Sequence, residues 1–132
     1  MYALDTNCVI HAFKGLGLVK DRLLACPARL LSIPAIVRYE LEYGTLRSAH
    51  PSRRRADIEV LLRDVRVLPF DDASALRAAA IRRELEARGE TIGPMDLLIA
   101  GTVLSAGAIL VSRNQSEFKR VPGLVTENWY DA

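Results

Sequence analysis

The chain has 132 residues, of which 50% are hydrophobic and 26% charged, and this ordinary globular composition excludes an intrinsically disordered chain and predicts a single domain spanning residues 1–132. Its net charge of +2 is unevenly spread, with 11 basic and 7 acidic side chains in residues 1–66 against 7 and 9 in residues 67–132. That asymmetry permits a polyanionic partner without demanding one.

The first residues, Tyr2-Ala3-Leu4-Asp5-Thr6-Asn7, read as a strand that stops at an acid, turns, and enters a helix from about Cys8 to Lys14. In an open parallel sheet ligands bind outside the carboxyl ends of the strands, so Asp5 is a candidate functional residue as well as a candidate helix cap. A second helix is expected from about Leu18 to Ala25, stopping before Pro27, and Leu30-Leu31-Ser32-Ile33 reads as a short buried strand. Pro34 suits the first turn of the next helix, in which Ile36, Tyr39, Glu40 and Tyr43 share an i, i+3, i+4, i+7 stripe. That stripe places Glu40 on the apolar face, where a carboxylate is costly unless a cation compensates it, and Arg38 or Arg47 are its nearest candidates. Residues 47–55, with the basic run Arg53-Arg54-Arg55, read as a polar break before a helix of about Ala56 to Asp64.

Val65 to Leu68 is the third expected strand, followed by a helix from about Ala73 to Ala87 capped by Asp71 or Asp72 and ended at Gly89. Pro94 fits the first position of the next helix and Asp96 its first turn, where the helix dipole favours negative charge. This helix is apolar almost all round, ends at Gly107, and leads into the strand Ala108 to Ser112. A polar loop, Ser112 to Phe118, and a last edge strand at Leu124 to Thr126 complete the chain. The most apolar window, Leu97 to Val111, is too short to span a membrane and is broken by Gly101, Ser105 and Gly107. The start lacks the basic and long apolar regions of a signal peptide. Cys8, Cys26, His11 and His50 fit no zinc spacing, and the thiols are expected to be reduced in a cytoplasmic protein.

Alternating strands and helices predict an α/β domain with a parallel sheet of four or five strands. Its candidate acids then fall at strand ends or helix starts: Asp5, Asp96, the inward Glu40, and Glu117 with Asn114 after a strand. Clustered carboxylates repel one another unless a cation holds them, and an all-oxygen set selects Mg²⁺ or Mn²⁺, ions that polarise phosphoryl oxygens. No phosphate-binding GxxxxGK[ST] loop, GxSxG elbow or GxGxxG fingerprint competes with that chemistry.

The segments LDTN at Leu4–Asn7, ELEYG at Glu40–Gly44, IGPMDLLIA at Ile92–Ala100, SRNQSEFKRVPGL at Ser112–Leu124 and ENW at Glu127–Trp129 resemble the PIN-domain family, and within it the VapC-type toxins of bacterial toxin–antitoxin pairs. The resemblance implies a three-layer α/β/α fold and an endoribonuclease dependent on Mg²⁺ or Mn²⁺. It implies that Asp5, Glu40, Asp96 and Glu117 are catalytic, that Asp5 and Asp96 bind the metal, and that Thr6, Ser112 and Asn114 line the site. Many PIN domains carry an aspartate where this chain has Asn114, so either Asn114 or Glu117 completes the metal set. It further implies an RNA substrate, a homodimer, and a VapB-type antitoxin whose basic tail enters the acidic pocket. ELEYG and NQSEFKRVPGL are most similar to enteric toxins that cut initiator tRNA in its anticodon loop. Arg53, Arg54, Arg55, Arg113, Lys119 and Arg120 are the candidate RNA contacts. Two other readings remain open: a PIN fold kept as a binding module, and a phosphoaspartyl switch, for which Lys119 lies too far into its loop.

Overall fold

The computed structural model describes residues 1–132. Five strands form one parallel sheet: β1 (Tyr2–Leu4), β2 (Leu31–Pro34), β3 (Arg66–Leu68), β4 (Ile109–Val111) and β5 (Thr126–Glu127), in the spatial order β3-β2-β1-β4-β5. Seven helices complete a three-layer α/β/α arrangement: α1 (Thr6–Lys14), α2 (Val19–Ala25), α3 (Ala35–Leu46), α4 (Pro51–Leu61), α5 (Asp72–Ala87), α6 (Pro94–Ala106) and α7 (Gln115–Phe118). The chain builds outward from β1 to the β3 edge, then returns across α5 and α6 to place β4 on the other side of β1. The order therefore reverses between β1 and β4, and a crevice opens beyond their carboxyl ends. No helix is long and apolar enough to cross a membrane.

The central strands are buried on both faces, as a doubly covered parallel sheet requires: Ala3, Leu4, Leu31, Ile33, Leu110 and Val111 are all within the core. The contact between α5 and α6 is especially close. A Cβ added to Gly101 would lie 2.8 Å from both the Ala78 Cβ and the Ser74 carbonyl oxygen, so this glycine serves backbone approach. Asp71 caps α5, its carboxylate accepting from the Ser74 amide at 2.9 Å.

Several boundaries differ from expectation for identifiable reasons. Helix α1 begins at Thr6 because Asp5 caps it, and Pro34 ends β2 and stands at the cap of α3, while Leu30 belongs to a 3₁₀ turn. Helix α4 begins at Pro51, so the arginine run lies inside a helix; with Ile58 as its single buried residue, α4 has almost no apolar periodicity to announce it. Residues 115–118 form the short helix α7 within the expected polar loop, and β5 begins two residues later than the predicted edge strand, sharing Thr126 with it.

The expected stripe on α3 holds only in part: Ile36 packs against the core and Glu40 is half-buried, but both tyrosines face outward. Tyr39 and Tyr43 are 57% and 53% exposed and stack with ring planes 7° apart, whereas Val37, Leu41 and Thr45 face the core. Glu40 is half-buried beside that core stripe, and neither Arg38 nor Arg47 forms an ion pair with it. Trp129 is buried against Tyr2, with ring centroids 5.1 Å apart, and so is withdrawn from any surface role.

Glycine positions of opposite character test the packing account. Gly101→Ala should destabilise the protein by about 1–3 kcal/mol through overpacking, seen as a fall of several degrees in the unfolding temperature. Gly44→Ala, where an added Cβ meets nothing within 4 Å in the helix α3, should be neutral or stabilising.

Candidate active site

Asp5 stands at the mouth of the crevice because β1 ends there and its backbone amide still reaches the Val111 carbonyl at 3.2 Å. Its side chain is almost fully buried, at 6% exposure, and Oδ1 accepts from the Cys8 amide at 2.7 Å. The same carboxylate thus caps α1 and faces the crevice, so the structural and functional readings of Asp5 are compatible. Burial raises its pKa, with the Glu40 charge adding to the rise; the Ser112 hydroxyl and the Cys8 amide oppose it.

Helix α3 brings Glu40 from the β2 side, where the Thr6 hydroxyl donates to Glu40 Oε1 at 2.7 Å. Helix α6 brings Asp96 in its first turn, set there by the proline-started Gly93-Pro94 entry. Glu117 comes from α7 and accepts from Asn114 Nδ2 at 3.1 Å, while the Asn114 amide bonds the Ser112 hydroxyl at 3.0 Å. Asn114 therefore acts as a brace joining Ser112 to Glu117.

The acids act on one another across the crevice. Burial, a hydrogen bond with Glu117, and the charges of Glu117, Asp5 and Glu40 push Asp96 up to about 7. Near neutrality, much of the Asp96 population keeps its proton. The structure brings the four sequence-predicted acids into one electrostatic unit and places Thr6, Ser112 and Asn114 beside them.

The donor set is entirely oxygen, which suits Mg²⁺ or Mn²⁺. Burial raises the Cys8 thiol far above its ordinary value, so this neighbouring thiol is a protonated core side chain. As the side chains stand, no three His, Cys, Asp or Glu residues close around a single point. Each acid instead rests on its own neighbour: Asp5 on Cys8, Glu40 on Thr6, Glu117 on Asn114. Asp96 differs, sharing a hydrogen bond with Glu117 and retaining its proton, as clustered carboxylates do where no cation compensates them.

The six basic candidates separate. Arg55 pairs with Glu42 at 2.6 Å. Arg113 lies 3.6 Å from the Tyr130 ring centroid and 3.5 Å from Asp131. Arg120 donates to the Thr91 carbonyl at 2.9 Å. These three are committed to the fold, while Arg53 and Lys119 are exposed without an ion pair and Arg54 borders a cleft next to Glu40. Lys14 lines the same cleft and was not singled out from the sequence, where its position at the end of α1 carries no distinguishing signal.

The PIN domain family matches residues 2–124. The tRNA(fMet)-specific endonuclease VapC of Shigella flexneri is 38% identical over 129 residues, covering 97% of each chain. Among solved structures, VapBC2 from Rickettsia felis, bound to a DNA fragment from its promoter, superposes with a TM-score of 0.90 at 33% identity, covering 97% of this chain and 98% of the other. DNA-bound VapBC from Salmonella typhimurium superposes at 0.89 and 33% identity, covering 97% of both.

The raised Asp96 pKa fixes the sign of a pH effect. A carboxyl whose folded-state pKa lies above its unfolded value destabilises the fold when ionised, so the cost is absent in acid and grows as pH rises from about 4 through about 7. In a chelating buffer, Asp96→Asn should gain stability relative to the parent as pH rises from 4 to 8, in paired thermal melts. A difference between the two proteins that does not change with pH would contradict this assignment.

Proposed function

The chain belongs to the PIN-domain family, and on that premise we propose that it is a VapC-type toxin: a cytoplasmic endoribonuclease dependent on Mg²⁺ or Mn²⁺ that acts on tRNA. The observation that carries this reading is the meeting of Asp5, Glu40, Asp96 and Glu117 at the point where the strand order reverses, in a chain that aligns along almost its whole length with ribonucleases.

Asp5 and Asp96 are the proposed metal ligands, and Glu117 completes the set, because Asn114 is engaged in holding Glu117. These residues would hold a divalent ion, which would supply polarisation of a phosphoryl oxygen and a water of lowered pKa. The remaining work is done by side chains of the chain itself. The Thr6 hydroxyl fixes Glu40 through Oε1, leaving Oε2 to accept a proton from the attacking water. The Cys8 amide holds Asp5 against rotation out of the crevice, and the Ser112 hydroxyl faces its carboxylate. Asn114 keeps Glu117 turned toward Asp96.

A structured RNA with an exposed loop suits the surface better than a long strand read base by base. Sequence reading of RNA needs stacked bases, and Trp129 is buried. Initiator tRNA, cut in its anticodon loop, is the favoured substrate on the strength of the similarity to the Shigella enzyme. The similarity to VapBC complexes supports a VapB-type antitoxin as partner, and a dimer of toxins is proposed on the family resemblance alone. An antitoxin arginine is suited to the acidic crevice, being planar, always charged and able to pair bidentately with Asp5, Glu40 or Asp96.

Asp5→Asn and Asp96→Asn each remove a ligand charge while keeping shape. Each should cut RNA cleavage by about 100-fold or more, the equivalent of several kcal/mol of transition-state stabilisation, with the protein still folded. A folded Asp96→Asn protein with the parent's rate would remove Asp96 from the site. Mapping of RNA ends after incubation of the purified protein with total RNA at physiological salt should find cuts in the initiator tRNA anticodon loop. Cuts confined to messenger or ribosomal RNA, with that tRNA intact, would refute the substrate and leave the nuclease standing.

A further inference from the structure

The three arginines of the 53–55 run point to three different ends. Arg55 is held by Glu42, and Arg53 is exposed on a shallow hollow that also takes in His50 and Asp57. Arg54 lies over the Phe13 ring, with Cζ 4.8 Å from its centroid, and borders both that hollow and a second cleft of about 170 Å³. The second cleft runs between α1, α3 and α4, over a floor that includes Ile10, Leu41 and Ile58, and Glu40 forms part of its wall. The active-site acid thus opens directly onto it.

Lys14 and Arg54 are the two cations on this cleft, and neither belongs to any of the three ion pairs in the molecule. The cleft's hydroxyls are already used: Thr45 bonds the Leu41 carbonyl at 2.9 Å and Ser48 bonds the Thr45 carbonyl at 2.8 Å. Two cations without a carboxylate partner, Lys14 and the Arg54 that lies over Phe13, therefore border a cleft whose only carboxylate is Glu40. A strand of phosphodiesters crossing the acidic centre meets like charge there, and needs positive charge on the adjoining linkages to be held. Arg113 and Arg120 are tied to Asp131 and Thr91 and offer less.

We propose that Lys14 and Arg54 are phosphate-positioning residues, and that single-stranded RNA leaves the scissile linkage along this cleft, from Glu40 past Lys14 and Arg54 toward Arg53 and His50. The assignment rests on the nuclease reading of the acidic crevice and deepens it by giving the substrate strand a direction. The apolar floor accommodates ribose, while the two cations hold the phosphates on either side of it.

The test uses a labelled single-stranded RNA oligonucleotide on an Asp96→Asn background, which binds without cutting, with affinity read by fluorescence anisotropy across a salt series. Lys14→Gln and Arg54→Gln should each weaken binding by about threefold to tenfold and lower the slope of log affinity against log salt by about 0.7, the value for one phosphate contact on a single strand. Arg113→Gln should leave the slope as it is. In the cleaving protein, the Lys14 and Arg54 variants should raise KM more than they lower kcat. Thermal melts matched to the parent exclude misfolding as the cause. Parent-like affinity and slope in both variants would overturn the proposal, as would variants that weaken binding of a protein partner while RNA binding is unchanged. A parent that binds RNA but never cuts it would sink the nuclease reading alone, and the slopes would still decide the cleft.

Discussion

Like charges buried together are the constraint on which this molecule depends. Four carboxylates come to the carboxyl end of a parallel sheet, one of them almost fully buried, and Asp96 responds by holding a proton near neutrality. Hydrophobic packing of the sheet and its helices offsets that cost, and the local hydrogen bonds limit it. The Cys8 amide, the Thr6 hydroxyl and the Asn114 amide each hold one acid, and none supplies a compensating positive charge. A site built this way leaves the negative charge of its carboxylates uncompensated by the hydrogen bonds that hold them.

The topology explains why the acids meet although they lie at positions 5, 40, 96 and 117. Starting the sheet in the middle and returning to the other side of β1 leaves a crevice between β1 and β4. Asp5 and Ser112 follow those two strands directly, and the neighbouring helices need only present their ends or edges. Close approach of α5 to α6 through Gly101 sets the outer helices against the sheet. Around the acids, the basic residues divide into those that hold the fold, such as Arg55 and Arg113, and those left facing open clefts, such as Lys14 and Arg54.

Asp5 and Asp96 were legible in the sequence because each is marked by local signals: an acid closing an apolar run, and an acid in the first turn of a proline-started helix. Glu40 was found for a partly mistaken reason. Of its stripe, Tyr39 and Tyr43 lie on the outside of α3, since tyrosine counts as apolar in a periodicity yet stacks well at a wet surface, while Ile36 packs inward. Helix α4 escaped in its first five residues because a helix burying only Ile58 has no face to read. The demand for glycine at 101 and the separate fates of Arg53, Arg54 and Arg55 depend on contacts between distant segments, and a single sequence carries no trace of those.

The proposed dependence of these acids on a divalent cation is what the reading of the site turns on. Its most direct measurement is RNA cleavage by protein stripped with a chelator, assayed before and after Mg²⁺ or Mn²⁺ is added back. The account predicts that cleavage is lost in the chelator and restored by either ion. Undiminished cleavage in excess chelator would contradict it.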